Sequence, residues 1–443
     1  MRRVAHLGAR EMGPRAGHES PRLRRRRHPG RELRSRRVQA SVQRHPCGMG
    51  SIHASTPSAC APVCGEHAAH SRRERVPVRI LFVVGHPAHV HFFKNVVRCL
   101  RSRGHEVLVG AVAREVTEDL LRRYDVPHFV FGTSKPSLAG KALDILPKDA
   151  ALLREAHPFR PDMFVSTGSP YAGHVAAVLG RPHLVFGDTE NATIVTRLML
   201  PFADLVCTPA AFQLDLGPKH VRYNGSKELA YLHPRYFRPD PEVLESLGLS
   251  RHEPFLLLRF SAWDSSHDFQ EGGFRFGGEA EEAKFISELE RYGRVLLTSE
   301  RPVAPRLDAY RVSSPPERLH DLLAFARLYV GEGATMAAEA GVLGVPWIFV
   351  STTGRGFLEE QEHRYRLGHW VSSTADALQR AEMILSQPDV HRRWKAKRDM
   401  MLSEKVDVTR FMLEFIEGWP KSFEAARQER DARAAQALAM HPG

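Results

Sequence analysis

No stretch of this chain approaches the roughly 18–20 consecutive apolar residues that a helix needs to span a bilayer, so no span-length helix is expected. Cysteine is scarce as well. Of five, Cys47, Cys60 and Cys64 lie in the first 77 residues, and only Cys99 and Cys207 lie beyond them. The lone CxxxC has no second cysteine pair, which argues against a zinc module. Cys99 falls in a helical pattern and Cys207 in a strand pattern, where buried thiols are common. The expectation is a reduced, cytoplasmic protein, peripheral at most to the inner face of a membrane.

Residues 1–77 lack Phe, Tyr, Trp, Lys and Asp altogether, and Ile52 is their only isoleucine. They carry 17 Arg against 5 Glu, which accounts for the whole net charge of +12; the remaining residues hold 46 basic and 46 acidic side chains. The excess charge therefore does not mark the body of the protein as nucleic-acid-binding, and no nucleic-acid partner is expected. Such a segment cannot bury enough apolar surface to offset its ordering entropy, so 1–77 reads as a disordered Arg-rich extension. Arg2-Arg3 is not followed by an apolar stretch and makes no secretory or twin-arginine signal. One reading of the extension is a basic arm for RNA or anionic lipid. The other is sequence upstream of a true start at Met49 or near Val78, and arginine without lysine fits that better.

What is present from Val78 onward is a regular alternation. Short apolar runs at 79–85 (RILFVVG), 106–111, 129–131, 163–166, 183–187 and 205–207 read as strands. Amphipathic patterns at 90–103, 115–124, 138–156, 171–179 and 191–200 read as the helices between them. A Pro- and charge-rich stretch, 232–254, reads as a linker. The pattern then restarts, with strands at 255–260, 295–298, 310–312, 328–330, 347–350 and 370–371. Helices are expected at 279–292, 318–325, 335–343 and 357–365, with several more from 374 to 418. Continuously apolar strands separated by helices imply parallel sheets covered on both faces. The predicted architecture is α/β: two Rossmann-like doubly wound domains, 78–231 and 255–420, with 421–443 as a fraying tail.

In doubly wound sheets ligands bind beyond the carboxyl ends of the strands. The element at 331–346, GEGATMAAEAGVLGVP, occupies such a place. Gly331 and Gly333 permit close approach of a ligand, and the helix start at Gly333, Ala334, Thr335 and Met336 offers free N–H groups to phosphate oxygens. Glu339 lies at i+4 from Thr335, on the same face, where a carboxylate could accept both ribose hydroxyls. Gly-rich strand–helix turns are also ordinary features of βαβ units, and spacing alone leaves both readings open.

The stretch 314–350 looks like the donor-site segment of glycosyltransferase-B (GT-B) enzymes. It is especially similar to domain-of-unknown-function family 354 (DUF354), relatives of sugar-nucleotide 2-epimerases and of the MurG-type transferase. HPAHVHFFKNVVRCLRSRGHEV (86–107), FRPDMFVSTGSPYAGHVAAVLGRP (159–182), FGDTENA (186–192), GSKELAYLHP (225–234) and LLRFSAWDSSHD (257–268) carry the same resemblance, in order, over about 78–420. It implies two domains facing across a cleft, an N-terminal acceptor domain and a C-terminal nucleotide-sugar domain. A nucleotide diphosphate-sugar is then a substrate, with no cofactor and no metal.

The resemblance also assigns roles. A histidine after the first strand bears on the acceptor hydroxyl in related transferases, and His89 matches best, with His86 and His91 beside it; a neutral imidazole suits a general base. Asp188 and Glu190, after the strand at 183–187, are acid, base or sugar-ligand candidates. Ser166 and Ser169 could contact sugar or acceptor, or cap a helix. Arg259 could bind a diphosphate bidentately, or pair with a neighbouring acid. Asp264 and His267 follow it towards the sugar, and His320 lies where related enzymes cover the base. In a MurG-like enzyme the amphipathic 138–156, with Lys135, Lys141 and Lys148, could rest on a membrane, although a core-facing helix explains the same pattern. The expected function is sugar transfer to an unidentified acceptor, in envelope polysaccharide or glycolipid assembly. The alternatives are a sugar-nucleotide 2-epimerase and a non-catalytic nucleotide-sugar-binding protein.

Overall fold

A computed structural model describes residues 76–114, 116–135, 140, 143–188, 193–261, 272–312, 314–354 and 356–440. The extension up to residue 75, Lys141, Glu190, Asp264 and His267 lie outside the described residues.

The apolar runs of the first half form β1 (Arg79–Val84), β2 (Glu106–Ala113), β3 (His128–Thr133), β4 (Met163–Ser166), β5 (His183–Phe186), β6 (Leu205–Pro209) and β7 (His220–Tyr223). They pair in parallel in the order β3-β2-β1-β4-β5-β6-β7. The second half forms β8 (Phe255–Phe260), β9 (Arg294–Ser299), β10 (Leu328–Gly331), β11 (Trp347–Val350) and β12 (Gly368–Val371), all parallel, in the order β12-β11-β10-β8-β9. Strand side chains alternate between faces. In β1 Ile80, Phe82 and Val84 enter one core and Leu81 and Val83 another. That two-sided burial is why these strands read as unbroken apolar runs.

Each sheet has one place where the winding reverses. In the first the chain moves outward from β1 to β3, then returns to lay β4 on the other side of β1. In the second, β9 lies on one side of β8 and β10 on the other. The carboxyl ends of β1 and β4, and of β8 and β10, are therefore the two crevices in which a ligand can sit between diverging connections.

The halves meet through a short buried helix, Leu229–Leu232. The carbonyl of Ala230 accepts from Asn95 Nδ2 at 2.8 Å and from Thr409 Oγ1 at 2.7 Å. Asn95 belongs to the helix Pro87–Ser102, and Thr409 to Val408–Gly418, which returns from the far end of the chain to pack on Pro87–Ser102. Glu417 there receives Arg103 at 2.8 Å and His105 at 3.4 Å.

Several expectations change. The strand β7 was not anticipated, because His220-Val221-Arg222-Tyr223 mixes polar and apolar residues, as an edge strand can. The run at 310–312 is no strand of the sheet; after the 3₁₀ turn Pro305–Tyr310, only Arg311 bridges to Leu297. The stretch 232–254 includes a helix, Glu242–Ser246, with Val243 and Leu244 buried. Residues Lys421–Met440 are helical, and Phe423 stacks on Trp419 at 5.9 Å. Cys207 is a free buried thiol, and Cys99 is buried in the helix Pro87–Ser102. Among the described residues no helix is long and apolar enough to cross a membrane. In the helix Ile145–Phe159 Leu146 is exposed, whereas Lys148 is buried and paired with Asp144 at 3.3 Å.

Candidate functional site

At the second crevice Gly331 lies in register with Arg259 of β8. A Cβ on Gly331 would stand 2.5 Å from Tyr329 Oη and 3.0 Å from Arg259 Cβ, so only glycine lets these strands and side chains close. The Tyr329 hydroxyl donates to the carbonyl of Gly333 at 3.2 Å and fixes the turn. The helix Ala334–Leu343 then begins without a side-chain cap, and it ends at Gly344 in the left-handed region, φ 77°. Gly333, Ala334 and Thr335 are partly exposed at the helix start, which leaves N–H groups open to an oxygen ligand. Met336 points into the core instead. The Arg259 side chain passes beside Gly333, with Nε 3.5 Å from where a Cβ would be, and its guanidinium pairs with Glu300.

Glu332, between the two glycines, is a structural group that spacing did not reveal. Its buried carboxylate accepts the backbone N–H of Ser261 and of Phe274, each at 2.8 Å. It thereby clasps the end of β8 to the approach of the helix Glu279–Glu290.

Glu339 is buried, and one of its oxygens is already engaged. Tyr231 Oη donates to Oε1 at 2.7 Å, and His320 Nε2 lies 3.0 Å from the same atom. Burial pushes the Glu339 carboxyl up, but His320 and these hydrogen bonds outweigh it and hold the group below its ordinary value. His320 is itself enclosed by Tyr231, Phe237 and His91, whose ring centroid is 4.7 Å away. His91 Nδ1 pairs with Tyr124 Oη at 3.1 Å. His91 and His320 thus belong to a buried seam between the halves, not to an open cleft.

At the first crevice His86 caps the helix Pro87–Ser102, its Nδ1 accepting from the Ala88 N–H at 3.2 Å. Burial, Arg114 and Lys227 pull its imidazole down to about 4. His89 bridges the ends of β1 and β4. Its Nδ1 accepts from the Gly85 N–H at 3.3 Å, and Thr167 Oγ1 lies 2.9 Å from Nδ1 and 3.1 Å from Nε2. An Nδ1 that accepts leaves the neutral ring's proton on Nε2. Burial, His86 and Lys227 lower His89 to about 3, while Asp188 opposes them. A neutral ring of such weak basicity suits hydrogen-bond donation better than proton removal.

Ser166 is fully buried against His183 Nε2 at 2.9 Å, and its Oγ also accepts the N–H groups of Gly168 and Ser169. Ser169 caps the helix Pro170–Leu179 through the Ala172 N–H at 3.3 Å. Both serines shape the turn after β4. Asp188, beyond β5, is paired with Lys227 at 2.6 Å, both largely buried. Burial alone would lower the Lys227 ammonium; Asp188 and Glu228 hold it above its usual value. Glu228 is driven by burial to about 7, against the pull of Lys227.

The structure thus gathers His86, His89 and Asp188 around one crevice and Arg259, Gly333, Ala334 and Thr335 around the other. Lys227, Glu228 and Tyr231 join them without having been singled out. Their signal was a charged pair inside the apolar run GSKELAYL. Among the described residues no His, Cys, Asp and Glu cluster has metal-holding geometry.

A family model of proteins of unknown function, DUF354, matches residues 79–358. An uncharacterized protein of Methanocaldococcus jannaschii is 22% identical over 277 residues, 59% of this chain and 78% of its own. Among solved structures, the spinosyn forosaminyltransferase SpnP superposes with a TM-score of 0.53 at 16% identity, over 77% of this chain and 100% of its own. Anabaena HepE, in complex with UDP and glucose, does so with a TM-score of 0.51 at 14% identity, over 77% and 100%. These likenesses identify the fold as GT-B: two Rossmann-like domains facing across a cleft.

Proposed function

The chain belongs to the DUF354 family, and we propose that it is a GT-B glycosyltransferase that moves a sugar from a nucleotide diphosphate donor to a separate acceptor. The observation that carries this reading is the register of Gly331 with Arg259, which sets a guanidinium beside an uncapped helix start at a switch point. Diphosphate oxygens would lie on the N–H groups at Gly333–Thr335, with Arg259 exchanging Glu300 for phosphate. Ribose would meet Oε2 of Glu339, since Oε1 is held by Tyr231 and His320. The HepE complex with UDP and glucose supports a nucleotide in this fold.

The acceptor would lie at the first crevice. Asp188, oriented by Lys227, would take the proton of its hydroxyl, and His89 would donate a hydrogen bond from Nε2 to the oxygens of the reacting sugar. One observation favours a second reading, a sugar-nucleotide 2-epimerase. Glu228, held near 7 close to Asp188, can be either protonated or ionised at neutral pH, as two-sided proton chemistry requires.

The test is incubation of the purified protein with a panel of nucleotide diphosphate-sugars and no acceptor. Slow release of nucleoside diphosphate supports the transferase, and an isomerised sugar the epimerase. Binding without turnover, persisting when candidate acceptors are added, would reduce the protein to a sensor.

A further inference from the structure

A second pocket lies at the other end of the second sheet. The cleft faces the carboxyl ends of β8 and β10. The helix Gly356–His363 runs back from that side, and Arg366 and His369 follow at the amino end of β12. Ile384, at the end of the returning helix Thr374–Leu385, and Lys397, on Val390–Glu404, line an open hollow of about 630 Å³ there. That volume falls within the range of small-molecule sites, roughly 300–1,000 Å³.

The lining carries more positive than negative charge. Arg366, Arg380 and Lys397 face the hollow, and among the described residues none has a carboxylate within ion-pair distance. The acid in the lining, Glu362, is committed: Oε1 to His369 Nδ1 at 3.2 Å and Oε2 to the Trp370 N–H at 3.1 Å. Lys397 is fixed in place. Its Nζ donates to the Arg366 carbonyl at 2.7 Å and lies 3.4 Å from the centroid of the Trp394 ring, while the indole N–H is tied to the Leu367 carbonyl at 2.6 Å. Arg366 holds a left-handed backbone, φ 53°, where glycine would be easier. Ile384 and Met383 add an apolar wall.

We propose that this hollow binds a small organic phosphate, its phosphate among Arg366, Arg380 and Lys397 and its carbon body against Ile384 and Met383. Three cations line one hollow and none is ion-paired among the described residues, which suits a multiply charged anion. Burial, with Arg393 and Arg366 nearby, pulls the Lys397 ammonium down to about 8, so it still carries its charge at neutral pH. The site is separate from the cleft and does not depend on the reaction proposed there.

Calorimetric titration of the full chain with glucose 1-phosphate, inorganic phosphate and glucose tests it. Saturable binding of glucose 1-phosphate is expected, at least tenfold tighter than inorganic phosphate, with none for glucose. The pair Arg366→Gly and Arg380→Gln should weaken it at least tenfold; glycine keeps the left-handed turn, so the fold is spared. Arg259→Ala, in the cleft, should leave it unchanged. Absence of saturable binding would overturn the proposal, as would binding lost in Arg259→Ala but kept in the double variant. Equal affinity for inorganic phosphate would remove the carbon body from it.

Discussion

Tyr231 and Glu339 stand 108 residues apart in sequence and 2.7 Å apart in space, a hydroxyl donating to a buried carboxylate across the seam between the two halves. A hydrogen bond to a charged group contributes about 1.5–3 kcal/mol. Tyr231→Phe, which keeps the ring, should lose stability of that order in urea unfolding. A loss within error would mean that the contact is incidental.

Because Glu339 is held below its ordinary value, the stabilisation it provides is complete above the unfolded carboxyl pKa of 4.5 and is lost as pH falls through the folded one. Glu339→Gln should therefore flatten the acid limb of the stability curve below pH 4.5. It should also abolish thermal stabilisation by added uridine diphosphate; an unchanged ligand shift would sink the ribose assignment.

Three histidines, one buried and two partly exposed, act at higher pH. His86, His89 and His183 are lowered from 6.5 to about 4, 3 and 3, each mainly by burial. The folded state resists their protonation while the unfolded chain accepts it, so stability is full above 6.5 and declines as pH drops below it. The urea midpoint should fall steadily from pH 7 to 5, and His183→Gln should reduce the slope. For the same reason, turnover should show no inflection near 6.5 arising from His89.

Two glycines of one element should respond differently. At Gly341 a Cβ would stand 1.9 Å from Gln361 Oε1, which itself accepts the Trp347 indole N–H at 3.0 Å, so Gly341→Ala should cost about 1–3 kcal/mol as an overpacked site. At Gly333 the nearest atom would be Tyr329 Oη at 3.2 Å, a tight but yielding contact. Gly333→Ala should fold and lose nucleotide affinity. Calorimetry on both variants separates packing from binding.

Glu332→Gln keeps the shape but turns an amide NH₂ towards one of two backbone donors that now share a carboxylate. An unsatisfied buried donor costs about 1–3 kcal/mol. Amide hydrogen exchange should quicken at Ser261 or Phe274 first; protection unchanged at both would show that the clasp is dispensable.

The legible parts of this protein were those set by local or near-local rules. The boundaries of β4, β8 and β11 were readable because each is a short apolar run buried on both faces. The i, i+4 spacing of Thr335 and Glu339 was readable because a helix enforces it. What Glu339 touches was not, since Tyr231 reaches it only after both halves have folded and met. The Lys227–Asp188 pair was hidden for the same reason: two charges in separate segments give no periodic signal until the chain brings them to 2.6 Å. The capping role of Ser169 was visible as an option, but whether it is taken depended on where the loop after β4 points.

The return of Val408–Gly418 onto Pro87–Ser102 has a mechanical consequence. The second sheet is joined to the first by two strands of backbone, one leaving near Leu232 and one coming back near Asp407, like a door hung on a pair of pins. Two attachment points define an axis about which the halves would swing. Removing the last forty residues would take away one pin, and with it the alignment of both crevices.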